Sequence, residues 1–352
     1  MVEEIIWKQE GNKIYFNYNN TEIYWIMPED YKLENTHIDL LHLAEILLLS
    51  PFEGYKHLTE KYKNTFSRKF GEKNSLSFST GVDSTAAMLL LPNDTILSYH
   101  YRDYPSRIDH SNAMRFIKYL KSNNRDVLVI PSNHEKIRTF NGLHEGFSTD
   151  FACLVHLVLL ADYLNLKSIS TGMVLESAYL KFGNCYQNFN KTEYYLKFKE
   201  LFEKCGLYLN YPTAGLSEII TNNIVNNSEY KDLAYSCLRA FNGCKECYKC
   251  YRKQLLNGNI LPMNRETDIF ISKRPPKMAV SIIYACQKSN LFLPQLEEYM
   301  DMDLNFLERY YNPYLSLNNP ETSITLINRL NKYGIKPMSL DEENKLREIN
   351  II

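Results

Sequence analysis

Between residues 75 and 257 the chain alternates short β-forming runs with helical stretches, and that alternation admits few folds. Residues 75–79 read as a strand, 84–91 as a helix ended by Pro92, 95–101 as the next strand and 110–121 as an amphipathic helix. A third strand at 126–130 is closed by Pro131, and a helix over 150–164 leads into a fourth strand at 167–171. A helix over 192–204 stops at Gly206, and 207–210 forms a fifth strand. Strands separated by helices pair in parallel through crossovers rather than as hairpins. The pattern therefore predicts an α/β fold with a doubly wound parallel sheet.

The flanks have a different texture. Residues 1–74 open with period-two aromatic runs, Ile14-Tyr15-Phe16-Asn17-Tyr18 and Ile23-Tyr24-Trp25-Ile26, which predict a β-hairpin turning at Asn19-Asn20. A helix over 39–49, stopped by Pro51, makes this a small N-terminal α+β extension whose tyrosines read as core packing. Residues 258–352 read as an all-helical C-terminal region, with helices over 277–288, 294–311, 320–333 and 340–350.

A formal net charge of −1 gives no global electrostatic pull toward nucleic acid or an anionic membrane. Met1-Val2-Glu3-Glu4 carries acidic rather than basic charge, and no apolar segment of a secretory signal follows it. The longest apolar stretch, 151–164, is interrupted by His156 and Asp162 and is too short to span a bilayer. These features predict a cytoplasmic protein without membrane association, its eight cysteines reduced or metal-bound.

The turn after the first core strand, Ser79-Thr80-Gly81-Val82-Asp83-Ser84-Thr85, has the physical attributes of a phosphate site. It runs from a buried strand into a helix N-terminus, where unpaired N–H groups and a partial positive charge favour anions. Gly81 is expected to supply backbone freedom, and Ser79, Thr80, Ser84 and Thr85 add hydroxyl donors. Asp83 beside phosphates calls for a helix-capping role or a cation. Neither G-x-x-x-x-G-K-[ST] nor G-x-G-x-x-G occurs.

Cys237, Cys244, Cys247 and Cys250 form C-x6-C-x2-C-x2-C, the ligand set of a tetrahedral Zn²⁺ site at 236–257. Arg239, Lys245, Lys249, Arg252 and Lys253 are placed to offset its negative charge. Cys153, Cys185, Cys205 and Cys286 read as small buried hydrophobes. The histidines, among them His100, His110, His134, His144 and His156, show no metal-ligand spacing, and His156 is expected in a packed helix.

The stretch Ser79 to Ser84 resembles the S-G-G-x-D-S PP-loop of the N-type ATP pyrophosphatases, with Thr80 in place of the first glycine and expected at negative φ. Together with the cysteine cluster, residues 75–254 resemble the 7-cyano-7-deazaguanine synthase family. Ser170-Thr171-Gly172-Met173-Val174-Leu175-Glu176 matches its glycine-ended strand and following acid, and Tyr211-Pro212-Thr213-Ala214-Gly215-Leu216-Ser217-Glu218-Ile219 its proline-led segment. The resemblance implies an adenine nucleotide alpha hydrolase-like ATP-binding domain over 75–235. It further implies ATP and Mg²⁺, AMP- and pyrophosphate-forming adenylation of a carboxylate or amide oxygen, and nitrogen transfer, as in a C–N ligase. Ser79, Thr80, Gly81, Val82, Asp83, Ser84 and Thr85 would hold the nucleotide, with Asp83 and Ser84 catalytic. Gly172 would admit the nucleotide closely, and Glu176 would face the substrate.

Three positions depart from the family pattern. Gly146 to Asp150 replaces its arginine-asparagine signature, Ser217 its lysine, and Tyr99-His100-Tyr101-Arg102 its aspartate before tyrosine. These departures and the two extensions imply a different acceptor: another small molecule, a protein or an RNA. The alternatives are a thiolase of tRNA or a nucleotide using Cys153 or Cys185, and a non-catalytic nucleotide-binding scaffold. The arrangement is also similar to synthase-related proteins of bacterial antiphage defence, and the chain could pair as a homodimer.

Overall fold

The computed structural model describes residues 6–19, 21–62 and 66–351. Met1 to Glu4, and Asn20 of the expected hairpin turn, lie outside the described residues. Three strands open the chain: β1 (Ile6–Glu10), β2 (Lys13–Tyr18) and β3 (Thr21–Ile26). The hairpin β2–β3 is the expected one, and β1 extends it to a three-stranded antiparallel meander. Alternation buries Ile14, Phe16, Ile23 and Trp25 on one face, as a half-buried antiparallel sheet requires.

Next come α1 (Ile38–Leu49) and α2 (Tyr55–Tyr62). Pro51 ends the regular helix as expected, but the chain continues through a single π turn (Ser50–Gly54) directly into α2. The alternating core then follows: β4 (Lys73–Ser77), α3 (Val82–Leu90), β5 (Ile96–Arg102), α4 (Ser111–Ser122) and β6 (Val127–Ser132). It continues with α5 (Val155–Leu159), β7 (Leu166–Ser170), α6 (Leu175–Ala178), α7 (Glu193–Lys204) and β8 (Tyr208–Asn210).

The eight strands form one sheet in the order β1-β2-β3-β6-β5-β4-β7-β8. The five strands β6, β5, β4, β7 and β8 are mutually parallel, and β3 joins them antiparallel at Trp25 and Ser132. The chain steps from β4 outward to β6 and then returns to the other side of β4. The carboxyl end of β4 is thus a topological switch point, where open parallel sheets bind ligands. Among the described residues no helix is long and apolar enough to cross a membrane.

The expected helix over 150–164 is shorter and irregular. A 3-10 turn (Ala152–Leu154) precedes α5, and non-helical turns follow to β7. Most of its apolar residues are nonetheless buried, including Phe151 and the run Leu157 to Ala161, with Tyr163 exposed. Burial on all sides, rather than amphipathic period, wrote that sequence. The expected helix over 294–311 also breaks, into 3-10 turns at Pro294–Tyr299 and Asn305–Glu308, and a further 3-10 turn follows at Asn312–Leu317. Asp303 Oδ1 accepts from Asn305 N at 3.2 Å, a local bond that competes with helix continuation.

The C-terminal half adds α8 (Glu218–Asn226), α9 (Tyr248–Leu256), α10 (Arg265–Ser272), α11 (Ala279–Lys288), α12 (Pro320–Lys332) and α13 (Leu340–Glu348). One contiguous apolar core runs from Ile14 to Ile351 and takes in these helices. The tightest point is Gly215, where an added Cβ would lie 2.1 Å from the Tyr314 ring and 2.7 Å from Tyr311 O. Tyr314 is fully buried, so it has nowhere to move. Gly215→Ala is expected to destabilise the fold by about 1–3 kcal/mol through overpacking, seen as a lower midpoint in chemical denaturation. An unchanged midpoint would show that the C-terminal segment docks loosely there.

Candidate functional site

At the switch point the chain leaves β4 through Phe78 and turns at Ser79 to Gly81 into α3. The left-handed residue of the turn is Thr80, with φ 61°, which corrects the expectation of a negative value. A β-branched side chain in that region is strained, at about 1–2 kcal/mol. Gly81, by contrast, has φ −75°, and a Cβ there would approach nothing closer than 3.5 Å. The backbone freedom assigned to Gly81 is thus not what the turn uses.

Gly81 is the N-cap of α3 and has no side chain to satisfy the first-turn N–H groups. Ser236, from the segment before the cysteine cluster, accepts from Val82 N through Oγ at 3.2 Å. Ser79 Oγ and Ser84 Oγ lie 3.0 Å apart, and Thr85 Oγ1 donates to Gly81 O at 2.9 Å. Gly172, at the end of β7, presses on the same turn: a Cβ there would meet Ser84 Cα and N at 3.0 Å. Its lack of a side chain admits the helix start, and it lines the adjoining cavity as well.

Asp83 does not stand free. Its Oδ1 accepts from Thr221 Oγ1 at 2.7 Å and from Lys253 Nζ at 3.1 Å. Lys253 also lies 3.2 Å from Glu218 Oε1, and Arg252 grips Glu218 with two bonds of 2.7 and 2.9 Å. Burial alone would raise the Glu218 carboxyl. The Arg252 guanidinium and the Lys253 ammonium overcome that and hold it well below the usual carboxylate range. Ser217 merely caps α8 by accepting from Ile220 N. The cation at the loop comes from α9 instead, a placement that needs the folded chain to be seen.

Glu176 is not a cavity residue. It is fully buried, takes both carboxylate oxygens to Glu218 N (2.9 and 3.1 Å), and accepts from Ser281 Oγ at 2.7 Å. The substrate-facing role expected of it is therefore corrected to a structural one: it fastens α8 and α11 to α6. Burial, joined by the nearby Glu218 charge, pushes its carboxyl up to about 7.

The four cysteines converge. Their sulfurs all lie within 4.8 Å of one another, with separations of 3.6, 3.8 and 3.9 Å along three edges. A tetrahedral zinc with Zn–S of about 2.3 Å needs sulfurs about 3.8 Å apart, so the set can hold such an ion. Backbone N–H groups of Arg239, Cys247 and Cys250 donate to Cys237, Cys244 and Cys247 sulfurs at 3.4, 3.3 and 3.4 Å. These bonds suit thiolate ligands. Of the five cations expected to offset the cluster, Arg252 and Lys253 are committed to Glu218 and Asp83, and Arg239 pairs with Glu266.

A cavity of about 470 Å³ opens on the loop. Ser79, Gly81, Asp83, Ser84 and Ser236 form its floor. Tyr99, His100 and Arg102 of β5 line it on one side of β4 and Thr171, Gly172 and Met173, after β7, on the other, and Phe147 and Phe182 line it as well. Cys153 also reaches it, whereas Cys185 lies elsewhere, its sulfur on Tyr186 O. Enclosure by its neighbours pushes the Cys153 thiol up to about 12. Cys205 and Cys286 are core residues as expected.

On the β5 side stands a histidine cluster that no spacing in the sequence announces. His100 lies 4.6 Å from His134 and 6.1 Å from His156 between ring centroids, and Trp25 stacks on His134 at 5.4 Å. Burial drives all three well below the ordinary histidine value, His134 to about 3 and His156 to about 4, so they are neutral at pH 7. Glu135, beside them, closes a bidentate pair with Arg102.

A family model described as a family of unknown function (DUF6395) matches residues 197–350. That stretch contains the cysteines, Glu218, Arg252 and Lys253 but not the loop at 79–84. No curated protein and no solved structure matches the chain.

Glu176 yields a pH prediction. Its folded-state pKa of about 7 is above the ordinary carboxylate value of 4.5. The folded chain therefore binds the extra proton between those values, and this group's contribution to stability is lost as pH rises through that window. Glu176→Gln should flatten the fall of the melting midpoint between pH 4.5 and 7, and an unaltered slope would reject the raised pKa.

Proposed function

We propose that this protein binds ATP at the loop after β4 and uses it, with release of AMP and pyrophosphate, to adenylate a carboxylate or amide oxygen before nitrogen transfer. The fold this reading assigns to the sheet is adenine nucleotide alpha hydrolase-like. The observation that carries it is the site's composition: a hydroxyl-rich turn and helix N-terminus at the switch point of a parallel sheet, opening on a cavity of about 470 Å³. The N–H groups and hydroxyls of that turn would take the phosphates. Departure of pyrophosphate builds negative charge there, and donors already aimed at it stabilise that charge without reorganisation.

Asp83 would hold Mg²⁺, which would neutralise charge on the leaving pyrophosphate. Lys253, 3.1 Å from Asp83 Oδ1, holds that carboxylate in place. His100, the member of the histidine cluster that lines the cavity, is held well below the ordinary histidine value by burial and contributes no positive charge there. A thiolase reading retains Cys153 alone, since Cys185 does not reach the cavity.

The cysteine set would hold a structural zinc ion that ties Ser236, and with it the cap on Val82, over the loop. Purified protein should carry about one zinc per chain by elemental analysis. Cys247→Ser should lose the metal and melt at lower temperature, while metal-free protein that melts normally would reject the site.

For activity, protein supplied with Mg-ATP, ammonia and candidate carboxylates should release AMP and pyrophosphate. Asp83→Ala and Ser84→Ala should lower that release by roughly a hundredfold or more. ADP and phosphate as sole products would overturn the assignment.

A further inference from the structure

We infer that Phe182 is a binding residue: its ring stacks on a flat ring of the ligand held in the cavity, and the turn that carries it exists to present it there. The inference rests on the activation reading of that cavity and goes beyond it by naming a residue and a ligand chemistry.

Phe182 is 63% exposed and lines the cavity together with Tyr99, His100 and Phe147. Exposure alone is ordinary for a single apolar side chain, and what distinguishes Phe182 is its backbone. Phe182 is held outward by a strained backbone. Lys181, Phe182 and Gly183 have φ of 42°, 64° and 86°, three left-handed residues in succession. A bulky side chain in that region is a genuine outlier, because its Cβ crowds the following carbonyl. A turn needed only to reverse the chain would carry glycine or asparagine at that position.

The strain is locked in from both sides. Gly183 N donates to Glu176 O at 2.9 Å, Met278 N to Phe182 O at 2.9 Å and Val280 N to Gly183 O at 3.1 Å. Met278 is itself left-handed, with φ 58°. A Cβ at position 183 would lie 2.9 Å from Met278 Cα, so only glycine lets the two segments meet. Two distant stretches of chain, each in a disfavoured conformation, therefore interlock and leave Phe182 at the cavity. Strain over-determined in this way gathers where ligands bind.

Aromatic side chains lining one cavity of about 470 Å³ favour a planar ring. The ring is either the adenine of the nucleotide or a ring of the acceptor, and three probes separate them: ATP, inorganic tripolyphosphate and 7-carboxy-7-deazaguanine, each titrated by calorimetry. Phe182→Ala removes the ring and keeps the strain, Phe182→Gly removes both, and Phe182→Tyr keeps a stacking face. Loss of one stacked base weakens binding about 5- to 100-fold.

A loss of that size for ATP in Phe182→Ala, with tripolyphosphate unchanged, places adenine on the ring. The same loss for the deazaguanine places the acceptor there. Either outcome, with affinity recovered in Phe182→Tyr, supports the inference. Unchanged affinity for both ring-bearing probes overturns it and leaves the activation reading intact. A wild-type chain that binds none of the three overturns both. Phe182→Gly should also melt at higher temperature than Phe182→Ala, and equal melting would remove the argument from strain.

Discussion

Glu218, buried between Arg252 and Lys253 with Asp83 at the open end of the chain of charges, is the joint on which the site depends. Each of these charges would lose several kcal/mol of hydration on burial if left unpaired. Helices α3, α8 and α9 therefore cannot separate without exposing one. Since α9 also carries Cys247 and Cys250, the same joint sets the distance between the cysteine cluster and the loop. Glu176 extends the constraint by holding the first N–H of α8, and Ser281 on α11 holds Glu176. A chain of polar contacts thus runs from the partly exposed Asp83 at the loop to the C-terminal helices through buried residues.

That chain explains which parts of the site were legible in the sequence. The loop and the cysteines are local patterns, because phosphate-binding turns and tetrahedral thiolate sites draw their groups from a few consecutive residues. The parallel sheet was legible for a similar reason: strand and helix periods are short. Lys253 was taken only as a counter-charge for the cysteines, yet it meets Asp83 across 170 positions of sequence. The three histidines at 100, 134 and 156 come from β5, the turn after β6 and α5, and only the parallel register brings them together. Glu176 followed a motif-like position correctly, but its neighbours turn its carboxylate away from the cavity.

The C-terminal region did not read as part of the core because its contacts are made by loops and 3-10 turns, which carry no periodic signal. Tyr311 N donates to Gly215 O at 2.9 Å, and Ile351 N to Asn184 O at 2.7 Å. Asn318 and Asn319 exchange side-chain and backbone bonds with Tyr211 and Asn210 at the β8 edge. These amides fasten the C-terminal segment to the end of the edge strand.

Backbone strain separates structural from functional demands on this chain. Among the described residues, the non-glycine positions with positive φ fall into two sets. Asn19, Asn124, Asn165, Asn242 and Asn290 are of the residue type that tolerates the left-handed region, and they turn the chain. Thr80, Lys181, Phe182, Lys245 and Met278 do not tolerate it well. Thr80 is in the loop, Phe182 and Met278 line cavities that open on it, and Lys245 lies between two of the cysteines. Glycine at any of these five would relieve the backbone, so folding stability does not account for the residues found there. Phe182 is the one of the five that lines the cavity on the loop, and an unfavourable side chain held there is what a binding site produces when it needs a particular group at a particular point.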